Sequence, residues 1–250
     1  MWAAAGCVER LDPMAARELS SPDIAANLAR VRERIERAAR AVGRSPGDMR
    51  LVAVAKQMPV EYVRAAIAAG VTDVGENYVQ EAEAKFAEIG RVVRWHLVGH
   101  LQRNKVKAAL PIFDLIHTVD SRRLAEEISR RAPAGARVPV LLQVNTSGEA
   151  SKFGLPPAAA LDRAAELAQL PGLDIQGLMT IGRWDPDPQA ARGEFQLLAE
   201  IFERLALVPG VTACWLSMGM SHDFEVAIEE GANLLRIGTA IFGPRPSVKR

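Results

Sequence analysis

Lys56 follows five apolar residues, Leu51-Val52-Ala53-Val54-Ala55, without a break. If that run is a strand, the amine stands at its C-terminal end. A partly desolvated pocket and nearby positive charge there would lower an ammonium's pKa and free a neutral nucleophile to attack an aldehyde, giving a Schiff base. Taken alone, Lys56 reads as a lysine snorkelling at a strand end. The context that changes this reading lies at the other end of the chain. Ser217-Met218-Gly219-Met220-Ser221 and Arg236-Ile237-Gly238-Thr239 combine small residues with hydroxyls, so backbone N–H groups can approach a phosphate and side chains can add donors. Ser221 is placed to open a helix through Glu225 to Glu230. Each loop singly reads equally well as a glycine turn with a serine cap, but two on consecutive strands favour phosphate. Arg236 adds a permanent cation. Beside a pyridine ring it would disfavour protonation of the ring nitrogen and restrain carbanion chemistry. Its plainer reading is a barrel-interior ion pair, with Glu76 the candidate partner.

These groups can meet only if the first and last strands are neighbours. Eight short β-rich runs are legible: Leu51 to Ala55, Thr72 to Gly75, Trp95 to Val98, Leu115 to Val119, Val140 to Val144, Ile175 to Thr180, Ala213 to Ser217 and Leu234 to Ile237. Helical segments at Val60 to Ala69, Val79 to Ile89, Leu124 to Arg131, Ala158 to Leu170 and Glu194 to Leu207 alternate with them, as parallel strands joined by crossovers require. An open doubly wound sheet uses the same units, yet the count of eight favours an α/β fold closed into a single (β/α)₈ TIM barrel. Closure would set strand eight against strand one and bring Lys56 to the phosphate loops. Ser21-Pro22, followed by Ile24, Leu28, Val31, Ile35 and Val42, predicts an extra N-terminal amphipathic helix ending near Gly43. Residues 1–20 hold no sustained period and are expected to form a flexible arm, leaving 21–250 as the barrel domain.

Composition sets the class of protein. Lys and Arg total 31 against 30 acidic residues, so no overall field recruits nucleic acid or an anionic membrane, and any anion must be captured locally. No apolar run approaches the ~20 residues of a membrane-spanning helix. Ala4-Ala5-Gly6-Cys7 is too short a leader for export, and Cys7 and Cys214 are too far apart for a metal-binding pair, so reduced thiols in a cytoplasmic protein are expected. His96, His100, His117 and His222 are scattered; they read as surface or satisfied strand-end residues, with no metal assigned. Gly99 to Lys105 reads as a polar loop with a basic face, and its Lys105, with Lys107, is either a solvated charge run or an attractor for an anionic ligand or partner.

The chain resembles the pyridoxal-phosphate homeostasis proteins, whose barrel is similar to the N-terminal domain of alanine racemase. The segments that carry the resemblance run from about residue 24 to Gly243. They are Leu51 to Lys56, Gly75-Glu76-Asn77-Tyr78-Val79-Gln80-Glu81, Trp95 to Lys105, Asn145, Lys152-Phe153-Gly154, Gly177 to Ile181, Leu216 to Ser221 with Asp223-Phe224-Glu225, and Arg236 to Gly243. The resemblance implies pyridoxal 5′-phosphate (PLP) held as an internal aldimine on Lys56, with Ser221, Gly238 and Thr239 on the phosphate. It further implies Asn77 and Arg236 around the ring, and Met218 walling the pocket. The implied role is vitamin B6 homeostasis, by binding the cofactor and supplying it to apoenzymes through transient contacts, with no firmly established turnover. A monomer is expected. Two positions depart from the family pattern: Ala55 stands where a serine is common, and Gly231-Ala232-Asn233 replaces the usual small and hydroxyl residues. The first would remove a hydrogen bond near the lysine, and the second is expected to be structural.

Two other functions compete with this one. A racemase-like enzyme of the same fold needs a second acid/base opposite the lysine, supplied in racemases by a tyrosine of a further β-rich domain. Here the only tyrosines are Tyr62 and Tyr78, and the sequence ends seven residues after Gly243. A Schiff-base lyase or isomerase acting on a phosphorylated sugar would use the same cradle but would be colourless.

Overall fold

The computed structural model describes residues 21–149 and 151–244. The expected arm at 1–20 lies outside the described residues, as do Ala150 and 245–250. Helix α1 (Ser21–Ala41) precedes a strict alternation: β1 (Arg50–Val54), α2 (Val60–Ala68), β2 (Asp73–Glu76), α3 (Val79–Ile89), β3 (Arg94–Leu97), α4 (Val106–Ala109), β4 (Leu115–Val119), α5 (Arg122–Arg131) and β5 (Val138–Gln143). It continues with α6 (Ala160–Leu167), β6 (Leu173–Met179), α7 (Arg192–Leu205), β7 (Trp215–Ser217), α8 (Phe224–Glu229), β8 (Leu234–Ile237) and α9 (Thr239–Phe242). Most strand limits fall within a residue or two of the sequence reading. The helix expected over Ala158 to Leu170 is shorter, because Pro157 opens a 3₁₀ turn before α6.

The eight parallel strands form a closed barrel in chain order. Closure comes from β8 pairing with β1, with Val52 opposite Arg236 and Ala53 opposite Ile237. Most of the apolar core lies between the barrel and the helices, where residues such as Val74, Trp95, Leu142, Ile175, Phe195 and Phe224 are fully covered. A smaller cluster of Val52, Leu115, Leu141, Met179 and Leu234 fills part of the interior. Gly177 on β6 is required by close approach: at φ 147° a Cβ would come to 1.9 Å from the Trp215 carbonyl oxygen of β7.

Helix α1 fills the gap in the helical ring at the seam. Ile24, Leu28, Val31 and Ile35 bury its apolar stripe. Asn27 Nδ2 donates to the Ile241 carbonyl at 2.9 Å, and Arg34 pairs with Glu225 at 2.6 Å. The expected extra helix is therefore part of the ring, clasping α8 and α9. Among the described residues, no helix is long and apolar enough to cross a membrane.

Candidate functional site

Barrel closure brings Lys56, Asn77, Met218, Ser221, Arg236, Gly238 and Thr239 to the C-terminal ends of four strands in circular order, β7, β8, β1 and β2. This is the end at which barrel loops carry chemistry. Lys56, expected directly after a strand ending at Ala55, sits half-buried in the turn two residues past the end of β1 at Val54. That turn is held from both sides. Gln57 has a φ of 59°, uncommon for a side-chain-bearing residue, and its N–H donates to Glu81 Oε2 at 2.9 Å. The Ala55 carbonyl accepts from Lys85 Nζ of α3 at 2.7 Å.

Lys85 also pairs with Glu76 Oε1 at 2.6 Å, and both residues are buried. This overturns the Glu76–Arg236 pair considered from the sequence. Side chains alternate along β2, so Asp73 faces the interior and Glu76 faces α3 on the outer side of the barrel. Glu76 Oε2 has no hydrogen-bond partner. Burial pushes the Glu76 carboxyl up to about 7 against the pull of the Lys85 ammonium. A carboxyl raised from its ordinary 4.5 binds protons more tightly folded than unfolded, so its stabilisation is complete below 4.5 and lost as pH rises through 7. Glu76→Gln is therefore expected to remove a pH dependence worth up to about 3 kcal/mol over this window. Urea denaturation of both proteins from pH 5 to pH 8 checks it, and a constant difference between the two curves would refute it.

The loops after β7 and β8 are tied together. Ser221 does not open α8 as expected: Asp223 directly precedes that helix, and its Oδ1 accepts from the Met220 N–H at 2.6 Å. Ser221 Oγ instead accepts from the Gly238 and Ala240 N–H groups, each at 3.2 Å. Gly219 makes the turn possible. At φ 88° its missing Cβ would meet Ala227 Cβ at 2.6 Å and Phe224 Cα at 2.9 Å. Thr239 is exposed at the start of α9, and Met218 is fully buried beneath. In the Gly231-Ala232-Asn233 departure, Asn233 has a structural task, accepting from the Leu216 N–H at 2.7 Å and donating to the Cys214 carbonyl at 2.8 Å.

Arg236 is 4% exposed, and no carboxylate of the described residues lies within ion-pair distance of it. Its Nη1 donates to Ser217 Oγ and its Nη2 to the Thr180 carbonyl, both at 2.7 Å. Burial lowers its pKa to about 10, which leaves it a cation at neutral pH. Two of its five N–H donors are thus accounted for by these bonds. A buried guanidinium at a mouth that also carries a lysine and a hydroxyl-lined loop suits a ligand with a ring acceptor and an anionic group.

The mouth also holds a hollow of about 470 Å³ lined by Asn77, Tyr78, Gly99, His100, Lys105 and Phe153, among others. Of the expected residues, only Asn77 lines it. His100 stacks on Phe153 with centroids 3.8 Å apart, and His222 reaches the Pro186 carbonyl. His96 and His117 are not surface residues but lie deep in the barrel, hydrogen-bonded to each other at 2.9 Å. The sequence signal for them was the period of two, which turns Asp73, His96 and His117 inward on successive strands.

A closed barrel with a lysine past the first strand and hydroxyl- and glycine-rich loops past the last two defines a class. The chain belongs to the family of the alanine racemase N-terminal domain, whose model matches residues 26–246. Within it, the chain belongs to the pyridoxal phosphate homeostasis proteins. It is 44% identical to the protein of that name from Pseudomonas aeruginosa over 224 residues, covering 89% of this chain and 96% of the relative. The Escherichia coli K12 protein is 41% identical over 239 residues, with 91% and 99% covered. PipY of Synechococcus elongatus PCC7942, solved with PLP bound, superposes with a TM-score of 0.77 at 37% identity, covering 88% of this chain and all of PipY.

Proposed function

We propose that this chain binds PLP at the barrel mouth as a Schiff base on Lys56 and serves PLP homeostasis, supplying the cofactor to apoenzymes as a cytoplasmic monomer. The observation that supports the reading is the β8–β1 seam, which pairs Ala53 with Ile237, so that the segments carrying Lys56, Gly238 and Thr239 leave the barrel at one edge of the mouth. Ser221, Gly238 and Thr239 hold the phosphate, Arg236 and Asn77 flank the ring, and Met218 walls the pocket from below. Bound PLP supplies an electrophilic aldehyde and an electron-accepting ring. The protein's part is to present the Lys56 amine, orient the ring, and keep a cation near the ring nitrogen, which weakens the ring as an electron sink. Holding the cofactor without strong carbanion stabilisation is what a carrier needs.

The test is uptake of PLP by the purified protein, followed in the visible spectrum, then borohydride reduction and peptide mass mapping. A visible band that reduction abolishes, with one phosphopyridoxyl group on Lys56, is expected. A colourless protein that takes up no PLP would overturn the reading and favour a Schiff-base enzyme acting on a phosphorylated sugar.

A further inference from the structure

A buried chain of hydrogen bonds runs from the mouth through the barrel interior. Arg236 Nη1 meets Ser217 Oγ at 2.7 Å, Ser217 Oγ meets His117 Nδ1 at 3.0 Å, His117 Nε2 meets His96 Nδ1 at 2.9 Å, and His96 Nε2 meets Asp73 Oδ1 at 2.9 Å. All five residues are at most 4% exposed. The two ends fix the outer links, and with both imidazoles neutral they set the direction of the inner ones as well. A guanidinium only donates, so Ser217 accepts from Arg236 and keeps one hydrogen that it can give to an unprotonated His117 Nδ1. A carboxylate only accepts, so His96 carries its proton on Nε2. Two neutral imidazoles in the Nε2–H form join these ends without a gap.

We propose that His117 and Ser217, with His96 and Asp73 behind them, are positioning residues. They form a one-way chain that fixes Arg236 at the cofactor pocket, so the protonation of the bound ring nitrogen depends on residues deep in β2, β3 and β4. The inference rests on the PLP reading above. Burial supports it, since burial, with the Arg236 cation close by, holds His117 well below its ordinary pKa and hence neutral. The titratable groups facing the chain are few. Asp73 at its far end takes Arg94 at 2.8 Å and Thr72 at 2.6 Å, with Arg50 at 3.9 Å, and Asp223 is the carboxylate acting on Arg236. Asp73 and Arg50 also line a hollow of about 500 Å³ at the opposite end of the barrel, so the chain spans the barrel from mouth to base. One added proton would reverse the links, moving the His117 proton to Nδ1.

Two readouts test this. In ligand-free protein, long-range ¹H–¹⁵N correlation of labelled histidine should show both buried imidazoles neutral and protonated on Nε2; an Nδ1–H form at His117 overturns the proposal. This result stands whether or not the protein binds PLP, so it separates failure of the chain from failure of the cofactor reading. With ring-¹⁵N-labelled PLP bound, His117→Leu and Ser217→Ala should move the pH midpoint of the ring-nitrogen shift by about one unit and speed PLP release roughly tenfold. His117→Gln keeps one donor and one acceptor and should restore the wild-type midpoint. Unchanged shifts and midpoints in Ser217→Ala and in folded His117→Leu would reduce the chain to packing and overturn the proposal.

Discussion

Lys56→Ala is expected to remove every borohydride-fixed phosphopyridoxyl group and to weaken PLP retention by at least about a hundredfold, or roughly 2.7 kcal/mol. The loss should not be total. Ser221, Gly238 and Thr239 are untouched, so the variant should keep a weak, non-covalent PLP complex that inorganic phosphate displaces. Lys85 is not placed to take over, since it is committed to Glu76 and the Ala55 carbonyl on the outer side of the strand. Equilibrium dialysis against labelled PLP, with and without phosphate, gives the residual affinity. A reduced adduct of full yield on another lysine in Lys56→Ala would show that Lys56 is not the attachment point.

Lys85→Met is expected to cost about 3 to 5 kcal/mol of folding stability, the usual penalty for stripping a buried charge of its partner. Glu76 would lose its side-chain partner, and the Ala55 carbonyl would lose its donor. Adding Glu76→Leu should recover most of the loss, because a pair replaced by apolar groups no longer carries a desolvation penalty. Urea midpoints at pH 7.5 for the two single variants and the double variant settle this, and a Lys85→Met protein within about 1 kcal/mol of wild type would refute it. The two losses should separate: the double variant regains stability, but its PLP retention should stay low if the Lys85 bond to Ala55 is what steadies the Lys56 turn.

The fold was legible because each strand was a short apolar run between polar helices, and because the unit recurred eight times. Lys56 and the two terminal loops could be brought together on paper once strand eight was set beside strand one. The sequence was silent where contacts join distant segments. Nothing local distinguishes Ser221 as a helix cap from Ser221 as a clasp on the Gly238 and Ala240 amides; Asp223, two residues later, takes the position before the helix. Glu76 was assigned to the wrong side because its partner depends on strand phase. Asp73 inward implies Glu76 outward, and an ion pair with Arg236 across the interior is then impossible. The histidines read as scattered because they are 21 residues apart in the chain, yet β3 and β4 place their rings in contact.

The clasp of α1 on α8 and α9 also sets an order of events when the chain is made. The stripe of Ile24, Leu28, Val31 and Ile35 is synthesised first, but its covering residues, around Phe224 and Ile241, are synthesised last. β1 likewise waits for β8 as one of its two strand neighbours. During translation α1 can pack early against α2, but the side that meets α8 and α9 stays uncovered for most of the chain's length, and the long loop it closes is slow to form. Closure of this barrel is therefore a late event, preceded by an aggregation-prone nascent phase.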